Sequence, residues 1–271
     1  MQSKKIDGEE INNIINNSNG DLGAVAAALM NQQKNNNQIE INKSLLPSRG
    51  IFYPNQIFVK KLTTVDIKNL SLVNPINFDA TINGILAKNV FGIDVNDILS
   101  GDKMWFIFYL RKITFEDLPY EIKYNCESCG NAEVYNMYFK DLIITQLDEK
   151  FDYNYLMKNN DNIVVGFPRI SDEIQENIMI KDPEAYGKST FDADLLNIAL
   201  FIKEINGKKV SILNAYNYIY SLDGMSFTAF SNYMGNIYFG VKPYIKIKCK
   251  CGSEIISPLV FNAEYFMPNI K

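Results

Sequence analysis

At 271 residues the chain is long enough to bury a sizeable core, and 47% hydrophobic with 13% aromatic content excludes an intrinsically disordered protein. A formal charge of -4 supplies no basic footprint for nucleic acid. No apolar run reaches the roughly 18 residues of a membrane helix, and the opening MQSKKIDGEEINNIINNSNG has no apolar centre of a secretory signal, so the chain is expected to work in a reducing interior without a membrane.

Residues 1–44 read as a disordered arm, because the Asn- and Gln-dominated sequence, as in NQQKNNNQ at 31–38, has little to bury. Within it DLGAVAAALM, at 21–30, is an apolar helical patch suited to docking on a neighbour or on the chain's own domain. Folded sequence is expected over 45–271 as one domain. QIFVKKLT at 56–63 alternates like a strand, and helical patterns follow from Thr64 and through INFDATINGILAKNV. The run from Met104 to Thr114 is nearly all apolar, with Trp105, Phe106, Phe108, Tyr109 and Leu110 leaving no polar face; it predicts a buried helix with Asp102 as its cap. YEIKYNC and AEVYNMYF then predict one β-hairpin, and VKPYIKIKC with SEIISPLVF a second. The region between them, about 141–240, reads as mainly helical, with FDADLLNIALFIKEI its clearest amphipathic stretch.

The four cysteines occupy the two hairpin tips. CESCG at 126–130 and CKCG at 249–252 each end in glycine, which permits the positive φ that closes a knuckle turn. Such knuckles point two sulfurs inward, and two knuckles complete a tetrahedral four-thiolate site from Cys126, Cys129, Cys249 and Cys251. The expected fold class is therefore α+β: β-hairpins joined by a four-cysteine zinc-ribbon-like site, with halves near 119–140 and 241–261. Residues 130 to 248, 119 positions, separate the pairs. Closing such a loop costs about 5 kcal/mol, against about 10 to 16 kcal/mol for structural zinc in peptides, so the metal can hold the ends together. Unpaired buried thiols, disulfides and redox use are the competing readings. A catalytic zinc needs an open position, and the chain has no histidine to supply a mixed ligand set.

Catalytic patterns are scarce. The usual general base for Ser or Cys is missing, and no phosphate-binding glycine motif occurs. The acidic pairs Glu116 with Asp117, Asp172 with Glu173 and Asp192 with Asp194 fit a carboxylate hydrolase, but are better read as caps and dipole partners at helix starts.

LPSRGIFYP, residues 46–54, is a proline-initiated turn with Gly50 free to take a positive φ, and an aromatic pair whose exit is fixed by Pro54. With the elements that follow, it resembles the baseplate hub and hub-assembly proteins of T4-like contractile-tailed bacteriophages. In that family an LPS-x-G-x-x-YP opening precedes a short strand and helices, a cysteine pair in a hairpin, a helical middle, and a closing cysteine pair before a tail with a PL pair and a later Phe. Leu46, Pro47, Ser48, Gly50, Tyr53 and Pro54 match the opening, the four cysteines match the knuckles, and Pro258, Leu259 and Phe266 match the tail. The second knuckle departs from the pattern, with C-x-C in place of C-x-x-C.

The resemblance implies a non-enzymatic hub component or assembly chaperone, stapled by one structural zinc. Other hub or wedge proteins of the tail would be its partners, and copies of itself within the hub. It would assemble in the host cytoplasm and stand in the virion baseplate. Pro47, Gly50, Phe52, Tyr53, Pro54, Tyr265 and Phe266 are the candidate contact residues, each also able to pack on its own core. A cellular zinc-ribbon adaptor is the alternative; it would show a basic face, of which Lys246, Lys248 and Lys250 give a short stripe.

Overall fold

The computed structural model describes residues 38–235 and 237–259. Residues 1–37 of the expected arm, the DLGAVAAALM patch among them, and the C-terminal residues Tyr265 and Phe266 lie outside them. The first strand, β1 (Ile39–Ile41), pairs antiparallel with β2 (Ile57–Val59), which pairs in turn with β3 (Val90–Phe91). β2 is shorter than the alternation suggested.

Between β2 and β3 run α1 (Thr64–Ser71) and α2 (Phe78–Asn89). A capping box starts α1: the Asp66 N–H donates to Thr63 Oγ1 at 3.2 Å and the Thr63 N–H to Asp66 Oδ2 at 2.9 Å. The Asn89 amide donates to the same carboxylate oxygen at 3.3 Å, which ties the end of α2 to the cap of α1.

The centre of the molecule is α3 (Ser100–Thr114). Trp105, Phe106, Ile107, Phe108 and Leu110 are all buried, so no residue of the helix is fully exposed and it sits inside the cluster formed by its neighbours. Two of its three basic residues, Lys103 and Arg111, are buried too, and each is answered. Lys103 Nζ reaches Asp79 of α2 at 2.6 Å and Glu173 of α4 (Ile170–Lys181) at 2.8 Å. Arg111 donates to the carbonyls of Leu118 and Pro119 at 2.6 and 3.1 Å, and its guanidinium lies 3.5 Å from the Tyr120 ring centre. Asp102 is not the cap expected of it. Leu99 holds that position, and Asp102 sits in the first turn with its carboxylate turned into the protein.

Two hairpins carry the cysteines. β4 (Tyr120–Asn125) pairs with β5 (Ala132–Met137), and β12 (Tyr244–Lys248) with β13 (Glu254–Pro258); each makes a separate two-stranded sheet. On their inner faces Tyr120, Ile122, Met137, Ile245 and Ile247 join the core.

The middle of the chain departs from the mainly helical expectation. It does contain α4, α5 (Ala193–Ala199), α6 (Ile212–Tyr220) and α7 (Gly224–Gly235), but also β6 (Ile144–Thr145), β7 (Asn154–Leu156), β8 (Asn162–Val165), β9 (Ile202–Ile205) and β10 (Lys208–Lys209). Strands β10-β9-β8-β7 form a four-stranded antiparallel sheet, and β6 pairs with β11 (Gly240–Val241). The FDADLLNIALFIKEI stretch is thus a two-turn helix that breaks at Leu200 and continues as β9. Its end, Ile205-Asn206-Gly207-Lys208, is a two-residue hairpin with positive φ at Asn206 (51°) and Gly207 (73°). Among the described residues no helix is long and apolar enough to cross a membrane.

Candidate metal centre

Each cysteine pair is placed by its hairpin's closing turn. In the first, the Cys126 N–H donates to the Asn131 carbonyl at 2.8 Å, and the Gly130 N–H returns to the Cys126 carbonyl at 2.8 Å, with Gly130 at φ 71°. In the second, the Cys249 N–H donates to the Ser253 carbonyl and the Gly252 N–H to the Cys249 carbonyl, both at 2.9 Å, with Gly252 at φ 93°. A side chain at either glycine would strain the turn, so the glycine behind each pair is a geometric requirement. Although one pair is C-x-x-C and the other C-x-C, the two turns close alike.

The turns bring all four sulfurs within 4.8 Å of one another. Cys126 Sγ lies 3.7 Å from Cys251 Sγ, and Cys129 Sγ 3.7 Å from Cys249 Sγ. A tetrahedral zinc with bonds of about 2.3 Å would space its sulfurs about 3.8 Å apart, while a disulfide would bring them to about 2.0 Å. The cluster therefore has the dimensions of a four-coordinate thiolate cage. Cys126 and Cys249 are buried, at 1% and 3% exposure, and Cys129 and Cys251 close the outer side.

The thiols' own electrostatics point the same way. The Ser253 hydroxyl, 3.4 Å from Cys251 Sγ, and the Ser253 backbone pull the Cys251 thiol down to about 6. The Asn131 backbone favours a thiolate at Cys129, but the thiols of Cys126 and Cys251 outweigh it and push Cys129 up to about 12. Cys249 is likewise raised: the Cys251 backbone favours its thiolate, and burial with the Cys251 thiol overrides that. Four crowded sulfurs cannot all carry charge by themselves; a dication at their centre deprotonates all four. With sulfur as the sole donor type, the cage suits zinc held in a closed site, where the metal supplies rigidity and no open position. A second clasp lies beside it, where Lys250 Nζ of one tip meets Glu133 Oε1 of the other hairpin at 2.6 Å, and the Asn131 amide donates to the same oxygen at 2.8 Å. Lys250 holds the Glu133 carboxyl below the usual range.

Residues 38–266 match the family described as T4 bacteriophage base plate protein. The chain belongs to that family. No curated protein and no solved structure matches it. The match spans both hairpins and everything between them, so this base plate protein is a structural component of a phage tail, and the cellular adaptor reading falls away.

In the base plate protein most of the opening motif packs inward on its own core. Pro47, Ser48, Gly50 and Tyr53 are buried, Phe52 is half-buried with its ring against Phe167 and Tyr153 at 5.6 and 6.5 Å, and Ile51 and Pro54 are exposed. Gly50 does take positive φ, at 65°, where a Cβ would meet Lys43 Cβ at 2.5 Å. The motif closes over the first turn of α3: the Ser48 N–H donates to Asp102 Oδ1 at 2.8 Å, the Tyr53 hydroxyl donates to Asp102 Oδ2 at 2.7 Å, and the Leu99 N–H donates to the Tyr53 oxygen at 3.0 Å. Burial pushes the Asp102 carboxyl up to about 6 against these hydrogen bonds. This Ser48–Tyr53–Asp102 latch was hidden because its ends lie some fifty residues apart, and Asp102 reads in sequence as an ordinary helix cap.

The acidic pairs have structural partners. Asp192 caps α5 by accepting from the Leu195 N–H at 3.0 Å, Asp172 takes Lys203 at 2.9 Å, and Glu173 takes Lys103. Glu116 and Asp117 lie past the end of α3 rather than at a helix start.

Proposed function

We propose that this protein works at the hub of the baseplate, as a hub subunit or hub-assembly factor, through protein contacts and without catalysis. One zinc per chain, bound by Cys126, Cys129, Cys249 and Cys251, staples its two hairpins. The observation that carries this reading is the closed cage: all four cysteine sulfurs converge within 4.8 Å, leaving no ligand position for chemistry. The LPS-x-G-x-x-YP opening, shared with hub proteins, supports the hub over other parts of the baseplate. Contact with hub or wedge partners is supported by apolar surface facing solvent, with Ile76 at 96%, Tyr220 at 69% and Met225 at 67% exposure. A further groove between Leu45, Tyr109, Phe139 and Ile144 offers aromatic walls of the kind interfaces use. Assembly in the host cytoplasm and association of copies within the hub follow from the same reading.

The test is quantitative mass spectrometry of purified phage against infected-cell lysate. A few copies per particle, set by hub symmetry, identify a hub subunit; abundance in lysate with absence from particles identifies an assembly factor. Copy numbers that follow the peripheral wedges would overturn the hub assignment.

A further inference from the structure

The four sulfurs of the cage differ in what can reach them. Cys129 and Cys251 are exposed, whereas Cys126 and Cys249 are buried. Each exposed sulfur stands against a buried one of the other hairpin: Cys251 Sγ lies 3.7 Å from Cys126 Sγ, and Cys129 Sγ 3.7 Å from Cys249 Sγ. An accessible thiolate beside a second sulfur is the arrangement that an oxidant converts to a disulfide, the outer sulfur being attacked and the inner one resolving it. Pairing within a turn is less favourable. Joining Cys249 to Cys251 would close a ring over the single residue Lys250, in a turn already held by the Cys249–Ser253 and Gly252–Cys249 backbone hydrogen bonds. Distorted disulfide geometry stores strain and leaves the bond easily reduced.

We propose, as an extension that rests on the zinc reading, that the cage exchanges one staple for another: peroxide converts it into the disulfides Cys126–Cys251 and Cys129–Cys249, which keep the hairpins joined after the metal has left. Each disulfide forms in two steps. The exposed thiolate attacks hydrogen peroxide, its sulfur becoming a sulfenic acid as hydroxide leaves; the buried thiolate then attacks that sulfur and expels a second hydroxide. The sulfur pair loses two electrons, the peroxide gains them, and zinc is released as its ligands are consumed. The sulfurs close from 3.7 Å to about 2.0 Å, a movement that rotation of side chains at the hairpin tips supplies. A tail component leaves the reducing host interior with its particle, so a staple that survives oxidation outlasts that change of surroundings.

The test oxidises the zinc-loaded full chain with hydrogen peroxide, caps remaining thiols with N-ethylmaleimide and maps the linkages by mass spectrometry. Glu-C cuts after Glu127 and trypsin after Lys250, which puts each cysteine on its own peptide and makes the pairing unambiguous. The Cys126–Cys251 and Cys129–Cys249 linkages should form in step with zinc release, read by a colorimetric chelator. Amides at 126–131 and 249–253 should exchange no faster after oxidation than before. Any other linkage, or sulfinic acids in place of disulfides, would overturn the proposal, and so would tip amides freed by oxidation. Zinc content before oxidation separates the two readings. A chain that binds none refutes the metal, while a chain that binds one and loses it without these cross-hairpin linkages refutes the exchange of staples alone.

Discussion

Asp102 carries an ionisable carboxyl into the core, where Tyr53 and Ser48 hold it and no cation among the described residues pairs with it. Burial raises its folded value to about 6 from an ordinary 3.8, so the stabilising form is the protonated one. That stability is complete below the unfolded value and lost as pH rises through 6, a change of roughly 3 kcal/mol. Asp102→Asn, neutral at every pH and able to accept from the Ser48 N–H, removes this dependence. Urea titrations of both proteins should therefore show the wild type losing about 2 kcal/mol relative to the variant between pH 4 and pH 7. A difference that stays flat with pH would mean the carboxyl titrates normally and the latch is solvated.

At the scale of elements, legibility followed the range of the signal. The two cysteine hairpins, α1, α2 and the burial of α3 were readable because alternation, helical periodicity and a nearly continuous apolar run are local. What escaped was set by distant partners. FIKEI continues a helical pattern, yet it becomes β9 because β8 and β10 flank it, with Ile163 paired to Ile205 and Lys208 to Ile205. One local clue was present, the Asn206-Gly207 pair between Ile205 and Lys208, a strong hairpin signal. Gly207 sits at φ 73° with nothing within 4 Å of a Cβ, so Gly207→Ala tests the turn alone. It should cost about 1 kcal/mol in urea unfolding, from backbone strain without a clash. A neutral effect would show that the β9–β10 turn contributes nothing to stability. The knuckles permit a sharper test. Metal analysis should find one zinc per wild-type chain and none in Cys126→Ser with Cys129→Ser; zinc retained by the double variant would refute the four-thiolate assignment.

On the scale of the whole molecule, the question is what the metal holds. Each cysteine hairpin is a two-stranded sheet, marginal by itself in water. Their bases are nevertheless fixed without metal, since Tyr120, Ile122, Met137, Ile245 and Ile247 lie in the core around α3. Among the described residues their tips are joined by the sulfur cage and the exposed Lys250–Glu133 pair, and an exposed pair contributes less than about 1 kcal/mol. Chelation should therefore unfasten the tips and leave the centre folded, unlike a zinc finger, which unfolds outright. Two signals separate these outcomes. Amide exchange at 126–131 and 249–253 should rise by orders of magnitude in chelator, while the amides of α3 keep their protection. Trp105, the single tryptophan, packs at 5.8 Å against Phe139 and stacks on Tyr109 at 4.8 Å, so its emission reports the centre and should not shift. A red shift of Trp105 emission with loss of α3 protection on chelation would mean that the cage governs the whole fold. In that case closing the loop of residues 130 to 248, about 5 kcal/mol of chain entropy, would be the term on which the molecule's stability turns.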